Sequence, residues 1–212
     1  MRSFAILIIG TLVTCGVAQA QSAAGNGYVE GVAQSAFGNV TSQSFGGEFG
    51  VTVVPNVQVF LDVGQVHNVA TAQISTAAAT IAGYLSQTQT NVGYRIKQPV
   101  TFGLAGVKFS VPVTGKLQPY VMAGGGVAKV KQDVSFSVGG SDVTANLAPY
   151  GVVLGADLSG SFTKPMATVG LGVMWPAWRR LVLDFQYRYG RVFADGQGIN
   201  VSRAGLGFGV RF

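Results

Sequence analysis

The sequence predicts an all-β fold, an eight-stranded antiparallel up-and-down transmembrane β-barrel, with short helices in two of its long loops. Three observations predict it. Of 212 residues only 10% are charged and 31 are glycine, and the mean hydropathy is +0.39. Low charge with high apolarity points to a membrane or a fibre. A helical span needs about 18 or more consecutive apolar residues, and no such run follows the N-terminal segment. Instead, apolar side chains alternate with Gly, Ser, Thr and Gln in segments of about ten residues, the periodicity of a barrel strand. In lipid only helices and closed barrels satisfy every backbone polar group, so the barrel remains.

The first twenty residues read as a separate object. Arg2 supplies a positive start, Phe4 to Val13 an apolar core too short to cross a bilayer, and Ala18-Gln19-Ala20 a cleavage site before Gln21. Residues 1–20 are therefore expected to be a secretory signal peptide, and residues 21–212 the barrel domain. Leu12-Val13-Thr14-Cys15 resembles a lipoprotein acylation site, an alternative weakened by Thr14. Cys15, the only cysteine, lies inside this segment, so the exported chain has no disulfide or thiol chemistry. Without Arg2 the net charge falls from +6 to +5. Export and the lack of a basic run argue against nucleic acid as the counter-charge and for anionic lipid headgroups.

Eight strands follow in order, over 26–36, 44–54, 57–67, 91–111, 117–138, 161–175, 180–191 and 200–212. Short connections carry turn chemistry at Pro55-Asn56, Pro112 to Lys116 and Pro176 to Arg180. Longer loops cover 37–43, 68–90, 139–160 and 192–199. Short turns alternate with long loops, so both termini lie at the turn end. A ten-stranded alternative stays open if part of 139–160 pairs. Pro99 to Phe109 aligns with Pro165 to Trp175 without a gap. That repeat puts Ala105, Val107 and Phe109 on the same, lipid-facing side as Leu171, Val173 and Trp175. In the last strand Ala204, Leu206, Phe208, Val210 and Phe212 alternate with glycines and arginines.

The export segment, the eight alternating segments and the closing Ala-Gly-Leu-Gly-Phe-Gly-Val-Arg-Phe at 204–212 resemble the small outer-membrane β-barrel families of the OmpA-transmembrane-domain and OmpX type. The resemblance implies the outer membrane of a Gram-negative bacterium, with short turns in the periplasm and long loops outside. It also implies that Phe208, Val210 and Phe212 form the signal read by the barrel-assembly machinery. It implies no single activity, since such barrels serve as adhesins, anchors and narrow pores.

Inward parity collects charges. Pairing Val53 with Val57 across the Pro55-Asn56 turn sets Glu48 directly opposite Asp62, a destabilising pair unless a cation reaches it. Lys108, Arg188 and Arg203 point inward at comparable heights, as do Glu30 and Asp184. These seven residues are expected to form an ion network in the lumen. An eight-stranded interior is normally filled by side chains, which makes the network a polar plug. A gate in a narrow ion path is the alternative.

Outward parity collects a second cluster. With the fifth strand turning back at Thr114, Lys97 pairs with Lys131, and Arg95 and Lys129 are neighbours. At about 3.3 Å per residue and about 40° tilt, these cations stand near 40 Å above the turn, beyond a ~25 Å apolar band. They are expected to contact lipopolysaccharide phosphates, the alternative being a solvated rim. Beyond the membrane, Val92, Tyr94 and Ile96 with Val134 and Phe136 form an apolar face that something must cover. Ile74, Ala78, Ile81 and Leu85 recur at helical spacing, as do Leu147, Tyr150, Leu154 and Leu158. Both loops are expected to fold back as short helices over the barrel mouth.

No enzymatic activity is expected. His67 is the only histidine, and Val69 stands where a serine partner would be wanted. One histidine and no exported cysteine leave no zinc set, and Gly124–Gly126 lies inside a strand rather than in a phosphate loop. No cofactor is expected. The expected partners are outer-membrane lipid and lipopolysaccharide, the assembly machinery, and a host or surface protein met through the loops.

Overall fold

The period-two alternation becomes a closed ring of antiparallel strands. The computed structural model describes residues 27–38, 40–155, 158–194 and 198–212; the expected export segment lies outside them. The elements are β1 (Gly27–Phe37), β2 (Ser42–Val54), β3 (Val57–Val66), α1 (Ala72–Leu85), β4 (Val92–Lys97), β5 (Val100–Ser110), β6 (Gln118–Val138), β7 (Ser141–Asp142), β8 (Ser159–Trp178), β9 (Leu181–Val192) and β10 (Ile199–Arg211). Eight strands close the ring in the order β1-β2-β3-β5-β6-β8-β9-β10, with β10 returning to β1. Closure leaves no sheet edge within the ring. β4 and β7 lie outside it and pair only with the upper part of β6. The strand expected over 91–111 is thus two strands in one register against β6, interrupted at Gln98-Pro99.

Two turns differ from expectation. At Pro55-Asn56 the closing pair is Val54 with Val57, and Val53 is the extra residue of a bulge. Asn56 takes φ 67°, a left-handed conformation that asparagine tolerates. Below the bulge the register is as reasoned, and Glu48 faces Asp62. Between β5 and β6 the register is displaced by two residues from one centred on Thr114. Ser110 pairs with Tyr120, and the turn swings about Gly115 at φ +148°. A displacement of two keeps every side chain on its face but changes its partner.

Side chains fill the lumen in layers. Nearest the short turns, Tyr28, Phe60, Tyr120, Met122, Met174 and Val182 pack together. Nearer the loops, a larger apolar layer includes Val66, Phe102, Leu104, Val130, Met166 and Val201. Four buried aromatics each lie over the glycine directly opposite on the next strand. Tyr28 covers Gly50, Phe60 covers Gly106, Phe102 covers Gly64 and Tyr120 covers Gly172. A Cβ at Gly50 would stand 2.3 Å from the Tyr28 ring, and one at Gly172 2.4 Å from the Tyr120 hydroxyl. The inward glycines make room for rings in a narrow barrel.

The mouth is capped. In α1 the side chain of Thr71 accepts from Ile74 N, and Ile74, Ala78, Ala82 and Leu85 are buried. Ala82 rather than Ile81 completes the buried face. These residues pack on Val134 and Phe136 of β6 together with Leu147 and Leu158. Among its described residues the second loop forms no α-helix. It makes two 3-10 turns, Thr144–Asn146 and Ala148–Tyr150, ending at Gly151 with φ +72°. Pro149 and Gly151 explain this, since one removes an N–H donor and the other favours a left-handed stop. At the base of α1, Asn68 Oδ1 accepts from Ala70 N and Gln98 N, and Gln98 Oε1 accepts from Thr71 N.

Gly50→Ala and Gly172→Ala are each expected to destabilise the barrel by about 1–3 kcal/mol through overpacking. Outward Gly31, whose added Cβ would meet nothing within 4 Å, is the control. Urea unfolding in lipid vesicles, followed by heat-modifiable gel mobility, measures the difference. Equal loss at all three positions would contradict the ring-over-glycine packing.

Candidate functional site

Between the two apolar layers lies a layer of charge. Glu30, Glu48 and Asp62 occupy consecutive cross-strand positions on β1, β2 and β3, forming a row of three carboxyls. Arg203 and Arg188 stand directly opposite each other on β10 and β9. Lys108 enters from β5 and Asp184 from β9. All seven are buried. Like charges stand side by side on each wall, and Lys108 and Arg188 reach Glu48 and Asp62 across the lumen.

Glu48 is the centre. One of its oxygens accepts from Lys108 Nζ at 2.6 Å and from the Tyr28 hydroxyl. Its other oxygen accepts from Arg188 Nη2 at 2.5 Å. Arg188 Nη1 donates to Asp62 Oδ2 at 2.6 Å, so one guanidinium joins the opposed carboxyls. Arg203 Nη2 lies 3.8 Å from Asp62 Oδ2, and Lys108 Nζ 3.8 Å from Asp184 Oδ2. The Tyr120 hydroxyl donates to Asp184 at 2.7 Å. Lys108 Nζ sits 4.7 Å and 4.3 Å from the ring centres of Tyr28 and Tyr120, and Arg203 4.2 Å from that of Phe102. These are cation–π distances, which gain strength where water is excluded. Glu30 has no ion-pair partner among the described residues. Its carboxyl folds over Gly207 beside the Gln186 amide, positions that an added Cβ would meet at 2.8 Å and 3.1 Å.

The tyrosines escaped the sequence reading, which collected charges and ignored phenols. Parity contained the signal, because Tyr28 is two residues from Glu30 and Tyr120 faces the same lumen. Chemically the layer is a clamp across the barrel. The apolar layers on both sides hold Phe102, Leu104 and Val201 above it, and Phe60, Met122 and Val182 below it.

On the outer surface Arg95, Lys97, Lys129 and Lys131 are all exposed at the loop end of β4 and β6. The displaced register separates the two lysines expected to pair. Lys97 faces Asp133, and Lys131 Nζ lies 3.2 Å from the same Asp133 carboxylate. Arg95 faces Ser135, and Lys129 stands between Thr101 and Thr163. One acid therefore sits among four cations. His67 also faces outward, beside a cavity of about 160 Å³ lined by Gln43, Phe45 and Gln65. Among the described residues no group of three His, Cys, Asp or Glu could hold a metal.

At the turn end Phe208, Val210 and Phe212 are exposed on the outer face. Phe212 and Gly27 exchange backbone hydrogen bonds of 3.0 Å, and the Phe212 ring stacks on Phe49 at 6.2 Å. The end of the closing strand is thereby fastened to β1 by its backbone and to β2 by its last ring.

Fold and lumen together define a small outer-membrane type of β-barrel, eight strands around a packed core. The chain is similar to Neisserial surface protein A, with 16% identity and a TM-score of 0.50 over 90% of this chain and 98% of that one. It is similar to the N-terminal β-barrel domain of Pseudomonas aeruginosa OprF, with 17% identity and a TM-score of 0.51 over 90% and 100%. A major outer membrane protein of Thermus thermophilus gives 10% identity and a TM-score of 0.52 over 88% and 99%. At these identities the likeness is one of fold. No protein-family model matches the chain, and no curated protein matches its sequence.

Arg188→Ala leaves Glu48 and Asp62 opposed without their shared cation and is expected to destabilise by about 3–5 kcal/mol. Lys97→Ala, in an exposed pair, is expected to cost less than about 1 kcal/mol. Urea midpoints of the two variants in the same vesicles check the ranking, and similar midpoints would contradict the clamp.

Proposed function

We propose that the protein is an outer-membrane β-barrel of a Gram-negative bacterium with a structural or surface-interaction role. The lumen is closed by packing, and the surface outside the membrane does the work. The observation that carries this reading is the charged layer lying between two apolar layers, with the mouth capped by α1 and the second loop. A conducting path would have to pass all three.

In this reading residues 1–20 direct export, and Phe208, Val210 and Phe212 present the closing strand to the assembly machinery. Short turns face the periplasm and the capped loops face outside. Arg95, Lys97, Lys129 and Lys131 meet the phosphates of lipopolysaccharide. Their exposure on the lipid-facing side of β4 and β6 supports this, as does the surplus of cation over Asp133. The loop surface over α1 is then what a host or neighbouring protein would meet. No catalytic role is assigned, since His67 is bordered by two amides and a phenylalanine.

Conductance of the refolded 21–212 chain in planar bilayers tests the closed lumen. Silence of the wild type, with Arg188→Ala less stable, is the expected result. Discrete openings altered in Arg188→Ala would replace the structural role with a gated pore. Separately, Lys97→Ala with Lys131→Ala is expected to weaken lipopolysaccharide retention about twenty-five-fold, taking about 1 kcal/mol, or about fivefold, per cation near an anionic surface. Unchanged retention in a lipopolysaccharide pull-down would remove the basic strip from the reading.

A further inference from the structure

The opposite end of the same side of the barrel carries a second basic surface of different composition. β6 and β8 pair directly from Gln118 opposite Met174, so the turn before β6 and the turn after β8 are neighbours. The first turn, 111–117, contributes Val113, Lys116 and Leu117. The second, 176–180, contributes Trp178, Arg179 and Arg180, with Trp175 just above. All of these are exposed, Trp178 at 69%. Arg179 takes φ 38°, so the chain reverses tightly with two guanidinium side chains on consecutive residues.

Among the described residues no Asp or Glu lies at this end. No Asp or Glu occurs from residue 63 to 132 or from 158 to 183. Glu30, Glu48, Asp62 and Asp184 are enclosed in the lumen, and Asp133 and Asp142 belong to the loop end. The other rim offers Asp133 to its cations, whereas three cations here share two turns without an acid. Tryptophan beside cations at the edge of an apolar band is the composition that sits at lipid headgroup depth. Cations there attract anionic lipid.

We infer that the paired turns bind an anionic phospholipid of the periplasmic leaflet, with Lys116, Arg179 and Arg180 on the headgroup phosphate and Trp175, Trp178 and Leu117 on the upper acyl chains. The inference rests on the outer-membrane reading for its sidedness, because lipopolysaccharide occupies the other leaflet. The barrel is then held by anionic lipid at both rims of one side, that of β5, β6 and β8.

The chain contains two tryptophans, Trp175 and Trp178, and both lie on this surface, so their fluorescence reports it alone. The processed chain, taken from membranes in mild detergent, is placed in phosphatidylcholine nanodiscs containing one-tenth brominated phosphatidylglycerol or one-tenth brominated phosphatidylcholine. The expected result is several-fold stronger quenching by the brominated phosphatidylglycerol. With Lys116→Gln, Arg179→Gln and Arg180→Gln combined, the apparent affinity for phosphatidylglycerol should fall on the order of a hundredfold, each cation contributing about fivefold. The two lipids should then quench alike. Equal quenching in the wild type overturns the inference, as does a preference surviving the triple substitution. Loss of the preference on adding an excess of inorganic phosphate at constant ionic strength also overturns it, in favour of a site for free phosphate. Failure of the outer-membrane reading looks different, because a chain that does not insert shows no quenching by either lipid.

Discussion

Everything in the barrel depends on how the carboxyl row on β1, β2 and β3 is neutralised. Three acids on adjacent strands repel, and among buried side chains that repulsion is weakly screened. Those three strands carry no cation to relieve it, and of their residues Tyr28 gives Glu48 one hydroxyl hydrogen bond. The cations come from β5, β9 and β10, and Glu48 is where Lys108 and Arg188 meet. The row is tolerable only when the ring is closed, because closure brings the opposite wall within hydrogen-bond distance. The charge layer is therefore a test of register as well as a source of rigidity. A slip of one residue in any participating strand would turn its charge toward lipid, at a cost of about 2–4 kcal/mol for a cation at midplane.

The axial layering follows from that constraint. A charge cluster in a narrow interior must be kept dry or fully hydrated, and here apolar packing lies on both sides of it. Tyr28 and Tyr120 join the two environments, each ring packing toward the turn end and each hydroxyl bonding a carboxylate. Their rings fit because Gly50 and Gly172 stand opposite. With the interior occupied, chemistry available to partners lies outside the ring, at the two rims and on the loops. The upper part of β6 extends past the ring, and its apolar face becomes the platform on which α1 and the second loop rest.

The two-residue displacement between β5 and β6 separates two kinds of information. It left Arg95, Lys97, Lys129 and Lys131 on their expected face and replaced a lysine–lysine pair with a lysine–aspartate pair. Parity depends only on whether a displacement is odd or even, whereas partnership depends on its size. The seven-residue turn about Gly115 decides the size, and its geometry is not written in the alternation. The Pro55-Asn56 turn behaves differently, because its bulge at Val53 absorbs the discrepancy before it reaches Glu48.

The sequence by itself determined the architecture, the inward and outward face of every strand, and the identity of the charges in the lumen. A period of two and the demand for backbone satisfaction in lipid are local properties that survive uncertain turns. The helix after β3 was legible for the same reason, its apolar spacing and Thr71 cap being local. Only the tertiary structure decided who pairs with whom. It showed that Tyr28 and Tyr120 belong to the ion layer, that Asp133 sits among the outer cations, and that Pro149 and Gly151 reduce the second loop to 3-10 turns. It also brought the turns at 111–117 and 176–180 side by side. Each of these is a relation between segments far apart in the chain. Such relations are fixed by ring closure and strand stagger, which no single segment encodes.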